Sequence, residues 1–131
     1  MDGLLDLMPF ARQLGMELVA AEADEVRGRL AWAPERCTAG GVLHGGALMA
    51  FADSLGAICA FLNLPTGAQT TTIGSSTAFM RGVRDGEVLG VARPLHAGRS
   101  VIVVQSDLSD ADGRRVAQVT QTQAVIGPRE A

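Results

Sequence analysis

The chain has 131 residues, of which 47% are hydrophobic and 19% charged, and a formal net charge of −3. These values are typical of one soluble globular domain with a substantial core, and the acidic balance argues against a general nucleic-acid binder. Two cysteines and two widely separated histidines are too few for a disulfide scaffold or a Cys/His metal site.

The first third of the chain predicts a helix followed by a β-hairpin. Apolar residues recur at helical spacing over 3–14, where Pro9 marks either a kink or the start of a second short helix and Gly15 ends the element. Residues 16–23 and 25–32 form the hairpin, since apolar and charged residues alternate along its second strand. Acids near the N-terminus, where a signal peptide carries positive charge, favour a cytoplasmic protein.

A long apolar helix is predicted at the centre of the sequence, after a loop at 33–43. Residues 42–64 read VLHGGALMAFADSLGAICAFLNL, and their apolar run is shorter than the ~20 residues that span a bilayer. Because the helix is apolar nearly all round, we expect the rest of the domain to enclose it. Asp53 is the one acid in this run, and a buried carboxylate needs a partner or a purpose.

The second half of the chain predicts only strands, over 70–80, 87–96, 100–109 and 115–126, with turn residues at hairpin spacing between them. On the first of these strands, small side chains would share one face, which suits close approach by a partner backbone or a narrow ligand. They are Thr72, Gly74, Ser76 and Ala78. The order of elements predicts a single α+β domain over 1–131, in which an antiparallel sheet curls around the central helix.

The start of the central helix is a candidate binding site. Free N–H groups and the positive end of the helix dipole suit an anion or an oxyanion, and Gly45 and Gly46 would let a ligand carbonyl come close. An acid on such a helix, here Asp53, can act as general base or nucleophile. The alternative is that the two glycines form only a turn and that Asp53 is a core acid with a satisfied partner.

Spacing along the helix predicts a dimer if this site exists. Gly45 and Asp53 are eight residues apart, which is roughly 12 Å at the rise of an α-helix. One chain therefore cannot bring both residues to the same carbonyl carbon. The N-terminus of one helix must face Asp53 of another across a two-fold axis, which gives a homodimer with two composite sites.

Several motifs along the chain follow the pattern of one known family. They are L-H-G-G-A followed by the acid in the central helix, P-F-A-x-x-L-G upstream, and F-M-R-G, D-G-E and G-R-S downstream. In order and spacing they resemble the hotdog-fold acyl-CoA thioesterases, and most closely the phenylacetic-acid-pathway branch of the 4-hydroxybenzoyl-CoA thioesterase family. The resemblance implies a long helix wrapped by an antiparallel sheet, paired into dimers and commonly assembled into tetramers.

Carried over by position, the resemblance implies that the Gly45 amide polarises a thioester carbonyl and that Asp53 activates water or attacks directly. His44 would orient the turn or take part in catalysis. Thr72 would supply a hydroxyl that holds the water or the carboxylate, or be an ordinary strand residue. Relatives often carry Asn or Gln six residues before the histidine, where this chain has Thr38; its hydroxyl also donates a hydrogen bond but has a shorter reach.

Arginines in the third quarter of the chain suit the charged end of coenzyme A. Arg99, with Gly98 and Ser100, resembles the phosphate-contacting turn of the family, and Arg81, Gly46 and Thr38 complete the set expected to bind substrate. The resemblance thus implies hydrolysis of acyl-CoA without a metal or redox cofactor, and neither nucleic acid nor membrane is expected as a partner. The alternatives are a non-catalytic acyl-CoA-binding or regulatory module and a hydratase or dehydratase of the same fold.

Overall fold

A computed structural model describes residues 2–127 of the chain, and its elements follow the predicted order. The elements are α1 (Asp2–Asp6), α2 (Pro9–Leu14), β1 (Glu17–Glu22), β2 (Glu25–Ala31), α3 (Gly45–Leu62), β3 (Gln69–Phe79), β4 (Glu87–Ala97), β5 (Val101–Asp110) and β6 (Arg115–Ile126). Each predicted strand begins and ends within one residue of the observed strand. The domain expected over 1–131 extends at both ends beyond the described residues.

The helix predicted over 3–14 is divided into two. Pro9 begins α2 instead of kinking a continuous helix, because the first helical position needs no N–H partner. Gly15 ends α2 in the left-handed conformation with a φ of 88°, as expected for a helix C-terminus. The loop predicted at 33–43 contains two short 3-10 turns, Pro34–Arg36 and Ala39–Gly41.

The six strands form one antiparallel sheet in the order β1-β2-β4-β5-β6-β3, and α3 packs on its inner face. Two glycines make room for the helix: Gly28 of β2 lies directly opposite Gly90 of β4. A Cβ at Gly28 would lie 2.8 Å from the Leu55 side chain and 2.9 Å from the carbonyl oxygen of Glu17. Leu55 and Phe51 are fully buried over this pair, so the α+β architecture is the predicted sheet curled around one helix.

The expectation that the domain encloses α3 is wrong for the single chain. One stripe of the helix faces solvent: Met49 is 45% exposed, Phe61 is 49% exposed, and Asp53 is exposed between them. The sheet covers the opposite side, where Phe51, Leu55 and their neighbours are buried. By length and composition alone α3 could cross a membrane, but half of it is buried against the sheet, as in the core helix of a soluble protein.

The two edges of the sheet differ in how they are protected. The β1 edge is short, has glutamates at both ends and carries a bulge, which are common ways to discourage further pairing. The β3 edge is eleven residues long and has no charged residue. Its Ile73 is 64% exposed and its Phe79 51% exposed, so β3 presents a long uncharged edge beside the open stripe of α3.

A bulge in β3 corrects the predicted face of small residues. Thr72 pairs with the buried Gln123, whereas Gly74 pairs with Thr122, and the extra residue between them is Ile73. Because one inserted residue reverses the side-chain alternation, Thr72 faces α3 while Gly74 and the small residues after it at 76 and 78 face outward. The four residues therefore do not share a face, and Ser75, opposite Gln121, takes the inward position instead.

Candidate active site

The loop before α3 is fastened at three points, which fixes where the helix begins. The indole N–H of Trp32 donates to the carbonyl oxygen of Gly41 at 2.9 Å. The Arg36 Nε donates to the carbonyl oxygen of Leu14 at 2.6 Å. In turn, the backbone N–H of His44 donates to the carbonyl oxygen of Arg36 at 2.8 Å. The N-terminus of α3 is thus held by the body of the domain.

The N-terminus of α3 has one capped and one free glycine N–H. His44 is the N-cap residue, and its Nδ1 accepts a hydrogen bond of 2.7 Å from the Gly46 N–H. Since Nδ1 is an acceptor, neutral His44 carries its proton on Nε2. Among residues 2–127 the Gly45 N–H has no partner. Of the two glycines predicted to meet a ligand carbonyl, Gly45 therefore offers the free donor, and the Gly46 N–H belongs to the helix cap.

Asp53 lies two turns further along α3, on its open stripe. The sequence predicts a buried acid, and in the single chain this is wrong, because the sheet covers the other side of the helix. The protein around the carboxyl group still removes part of its hydration, and this desolvation raises the pKa of Asp53 above its usual value. The group is thus an acceptor on the molecular surface with a higher proton affinity than an ordinary aspartate.

The inner face of β3 runs beside this stripe, in the opposite direction to α3. A Cβ at Gly45 would lie 3.2 Å from the ring of Phe79, at the end of β3. At the start of β3, Thr70 lines an apolar groove with Ala57 and Phe61 of α3. Asp53 lies between these two ends, and we call this contact line from Gly45 to Phe61 the α3–β3 seam.

The other predicted site residues fall into two groups at opposite ends of the seam. Thr38 is exposed near the start of α3, where the Leu43 N–H also donates to the carbonyl oxygen of Val83; this contact brings the loop containing Arg81 to the same end. The turn formed by 98–100 lies at the other end, where the Val125 N–H donates to the carbonyl oxygen of Ser100. Neither Arg81 nor Arg99 has an ion-pair partner among the described residues.

Sequence reasoning missed two buried glutamines beneath the seam. Gln121 and Gln123 are each 1% exposed and point inward from β6. The Gln121 Nε2 lies 3.5 Å from the carbonyl oxygen of Asp53, and the Gln123 Nε2 donates to the Thr72 hydroxyl at 2.7 Å. A signal was present, because both residues occupy alternate positions that continue the apolar series Ala117 and Val119.

A second groove, of about 340 Å³, opens beside His44 between α2 and the turn that precedes α3. Phe10 and Leu14 line it on one side, and Cys37 and Ala47 on the other. Across residues 2–127 no group of three or more His, Cys, Asp or Glu side chains is arranged to hold a metal ion. At this end a free backbone N–H can donate a hydrogen bond next to a groove of mixed lining, to which Gln13, Glu35 and Arg36 also contribute.

An antiparallel sheet around one long helix is the architecture of the hotdog fold; in this chain a free N–H lies at the start of the helix and a carboxylate lies on its open stripe. The chain belongs to the Thioesterase superfamily, whose family model matches residues 40–117. The predicted fold and family are thereby confirmed, and the protein is a thioester hydrolase.

Named relatives and a solved structure agree with this assignment. The chain is 34% identical over 87 residues to the proofreading thioesterase EntH of Cronobacter sakazakii, covering 66% of this chain and 64% of EntH. It is 31% identical over 86 residues to the 1,4-dihydroxy-2-naphthoyl-CoA hydrolase of Escherichia coli, covering 66% of this chain and 63% of that enzyme. A crystal structure of a thioesterase from Haemophilus influenzae superposes with a TM-score of 0.91 at 27% identity, over 98% of this chain and 92% of that one.

Proposed function

We propose that the protein hydrolyses an acyl-CoA or aryl-acyl-CoA to the free acid and coenzyme A, at a site shared by two subunits. The observation that carries this proposal is the unpartnered Gly45 N–H, two helical turns from Asp53 on the same open side of α3. The coenzyme A part of the substrate is proposed because the E. coli relative is named as a CoA-thioester hydrolase.

The exposed edge of the sheet supports a two-fold dimer. Pairing of β3 with the β3 of a second copy would continue the sheet without bringing charged side chains of that strand into contact. It would also cover exposed apolar side chains on β3 and on the stripe of α3, including Met49, Phe61 and Ile73. In such a dimer the two α3 helices face each other, so that Gly45 of one subunit can approach Asp53 of the partner subunit. Assembly into a dimer of dimers and a cytoplasmic location are proposed on the family resemblance.

In this arrangement the Gly45 N–H donates to the thioester carbonyl oxygen and stabilises the negative charge that develops there. Asp53 of the partner subunit then acts in one of two ways. As general base it takes a proton from a water molecule while the water oxygen attacks the carbonyl carbon. As nucleophile it forms a mixed anhydride that water then hydrolyses. In both routes the carbon–sulfur bond breaks, and the coenzyme A thiolate leaves and takes up a proton.

Two of the arginines are proposed to bind the charged end of coenzyme A. Arg81 lies at the Gly45 end of the seam, whereas Arg99 lies at the other end, beyond Asp53. Because the site joins the Gly45 end of one subunit to the Asp53 region of the other, both arginines flank it. Their guanidinium groups have no ion-pair partner in the described part of the chain and suit bidentate contact with phosphate. His44, Gly46, Thr38, Gly98 and Ser100 are proposed to shape the turns that meet the substrate.

A panel assay of thiol release from aliphatic and aryl acyl-CoAs tests this function. We expect the wild-type protein to release coenzyme A from at least one member of the panel. Asp53→Asn should remain a folded dimer and lose about 10²- to 10⁴-fold in kcat, because the amide cannot accept the proton. An Asp53→Asn variant that hydrolyses acyl-CoA at a near-wild-type rate would remove Asp53 from the mechanism. If the wild-type protein binds acyl-CoA without releasing a thiol, it is a non-catalytic module.

The pH profile of the wild-type enzyme offers an independent reading of Asp53. Desolvation raises the pKa of the carboxyl group, so kcat/KM should fall as the pH drops through a value above that of an ordinary aspartate. The sign follows because the working form is the ionised one, which acid removes. The residual activity of Asp53→Asn should lack this acid limb. If the Asp53→Asn variant kept the same acid limb in its kcat/KM profile, the limb would arise from another titrating group.

A further inference from the structure

We propose that Gln123 is a positioning residue, which holds the Thr72 hydroxyl so that its O–H donates toward the Asp53 carboxylate or the water bound there. The inference rests on the proposed function. It extends that function to a residue that lies beneath the sheet surface and touches no substrate.

The amide of Gln123 is engaged at both ends. Its Nε2 donates to the Thr72 hydroxyl at 2.7 Å, and its Oε1 accepts from the Thr70 hydroxyl at 3.1 Å. Because the Thr70 hydroxyl has one hydrogen, this contact is one branch of a bifurcated bond, and the shorter branch goes to the carbonyl oxygen of Ala124 at 2.9 Å. Two strand residues on one face of β3 are thus joined through one buried side chain of β6.

The direction of the hydrogen bond from Gln123 decides what the Thr72 hydroxyl can do. A hydroxyl has one hydrogen to donate and two positions at which it accepts. Because the Gln123 N–H already occupies an accepting position, the Thr72 hydrogen stays free to donate elsewhere. The side chain of Thr72 is exposed, so this hydrogen can reach a group on the molecular surface.

Asp53 is the carboxylate on this part of the seam. Thr72 is paired with Gln123, and the next inward residue of β6, Gln121, reaches the carbonyl oxygen of Asp53 at 3.5 Å. The adjacent inward residue of β3, Thr70, lies in the groove with Ala57, one turn after Asp53 on the same stripe. Asp53 therefore lies beside the part of β3 that runs from Ser75, opposite Gln121, to Thr72, opposite Gln123, and Thr72 is the residue there whose hydroxyl a glutamine holds.

The choice of glutamine at this buried position fits a role in orienting the Thr72 hydroxyl. Gln123 is 1% exposed, and a buried amide is costly unless its hydrogen bonds are made. The inward positions of the same strand change from Ala117 and Val119, which need no partners, to glutamine only at 121 and 123, beneath Asp53 and Thr72. A side chain with a donor can fix the direction of the Thr72 hydroxyl, which an apolar side chain at this position cannot do.

The test is a double-mutant cycle between Gln123→Met and Thr72→Val in the full-length dimer, measured by steady-state thiol release. Methionine keeps the volume and removes the donor. We expect Gln123→Met to lower kcat about 10- to 100-fold, as for a misplaced catalytic group, with KM within about twofold because substrate contacts are unchanged. The double variant should be no slower than Thr72→Val alone, since Gln123 acts only through Thr72.

Two further variants make the outcome decisive. Gln105→Met is the matched control. The Gln105 side chain lies half-buried on β5 and, within residues 2–127, bonds only to the Thr120 hydroxyl at 3.4 Å, so its loss should leave kcat unchanged. Thr72→Ser keeps the hydroxyl and should restore most of the activity that Thr72→Val loses; this pair tests the proposal even if Gln123→Met fails to fold.

The failure of this inference differs from the failure of the proposed function. Suppose that the wild-type protein is active. If Thr72→Val then keeps full kcat, or if the losses in kcat from Gln123→Met and Thr72→Val multiply in the double variant, only the role of Gln123 is overturned. A wild type without thioesterase activity on any acyl-CoA would overturn the proposed function and this inference together.

Discussion

Two adjacent glycines at the start of α3 differ in what their N–H groups do, and the difference lies in the ring of His44. The imidazole Nδ1 accepts the hydrogen bond of the Gly46 N–H, whereas the Gly45 N–H has no partner among residues 2–127. The backbone of His44 is extended, with φ −63° and ψ 134°, which is the conformation required of a residue before proline. Gly45 is also the first helical position, where proline is tolerated because its N–H is not needed by the helix.

Gly45→Pro therefore removes the proposed oxyanion donor without breaking the helix. We expect it to lower kcat about 10²- to 10³-fold, the loss seen when one oxyanion donor is removed. Gly45→Ala is the control, because its Cβ meets the same Phe79 ring at 3.2 Å while the N–H remains. Steady-state thiol release and circular dichroism compare the two. Equal losses in both variants would show that crowding at Phe79, and not the N–H, limits the reaction.

Cys59 illustrates a residue whose chemistry is suppressed by its position. It is fully buried in α3, and desolvation, with a smaller contribution from Asp24, raises the pKa of its thiol to about 11. At neutral pH the thiol stays protonated and packs as a small apolar side chain. This agrees with its place in the apolar run of the sequence.

At the scale of elements, the contact between α3 and the sheet depends on the glycine pair on β2 and β4. Gly28→Ala would place a methyl group against the Leu55 side chain and the carbonyl oxygen of Glu17, the latter at 2.9 Å in the present geometry. We expect a loss of about 1–3 kcal/mol in the free energy of unfolding, as for other overpacked cores.

Chemical denaturation measures this loss, and Arg29→Ala on the same strand is the control. Arg29 pairs with Glu17 on the exposed outer face, where an ion pair contributes about 0–1 kcal/mol. A Gly28→Ala variant as stable as wild type would mean that β1 and α3 move apart freely, and that the close approach is not a constraint of the fold.

Elements were predictable from the sequence because their signals are local. The alternation of apolar and polar residues predicted the strands. The spacing of eight residues between Gly45 and Asp53 in the apolar run predicted their positions along α3. The bulge at Ile73 was not predictable, since only pairing with β6 shows that Thr72 turns inward while Gly74 turns outward. The exposure of Asp53 was missed for a similar reason: which stripe of an apolar helix stays open depends on how far the sheet reaches around it. The hydrogen bond that occupies the Gly46 N–H likewise depends on a side-chain rotamer.

At the scale of the whole molecule, the uncharged β3 edge is expected to form the subunit interface. Ile73→Lys places a charge on this edge, at its bulge, and should weaken dimerisation at least about tenfold, or about 1.4 kcal/mol. Val19→Lys is the matched control, since Val19 is 49% exposed at the bulge of the opposite edge strand, β1. Sedimentation equilibrium distinguishes them. If the Val19 variant lost the dimer and the Ile73 variant kept it, the interface would lie on the β1 edge and the prediction would be wrong.

The central claim is that each active site joins Gly45 of one subunit to Asp53 of the other, and subunit complementation tests it most directly. Gly45→Pro and Asp53→Asn are each expected to be nearly inactive alone. Co-expressed in equal amounts, half of the dimers should be mixed and contain one intact site, which restores about a quarter of the wild-type thiol-release rate per subunit. A mixture no more active than the average of the two parent variants would contradict the shared site, because each chain would then carry its own complete, and damaged, active site.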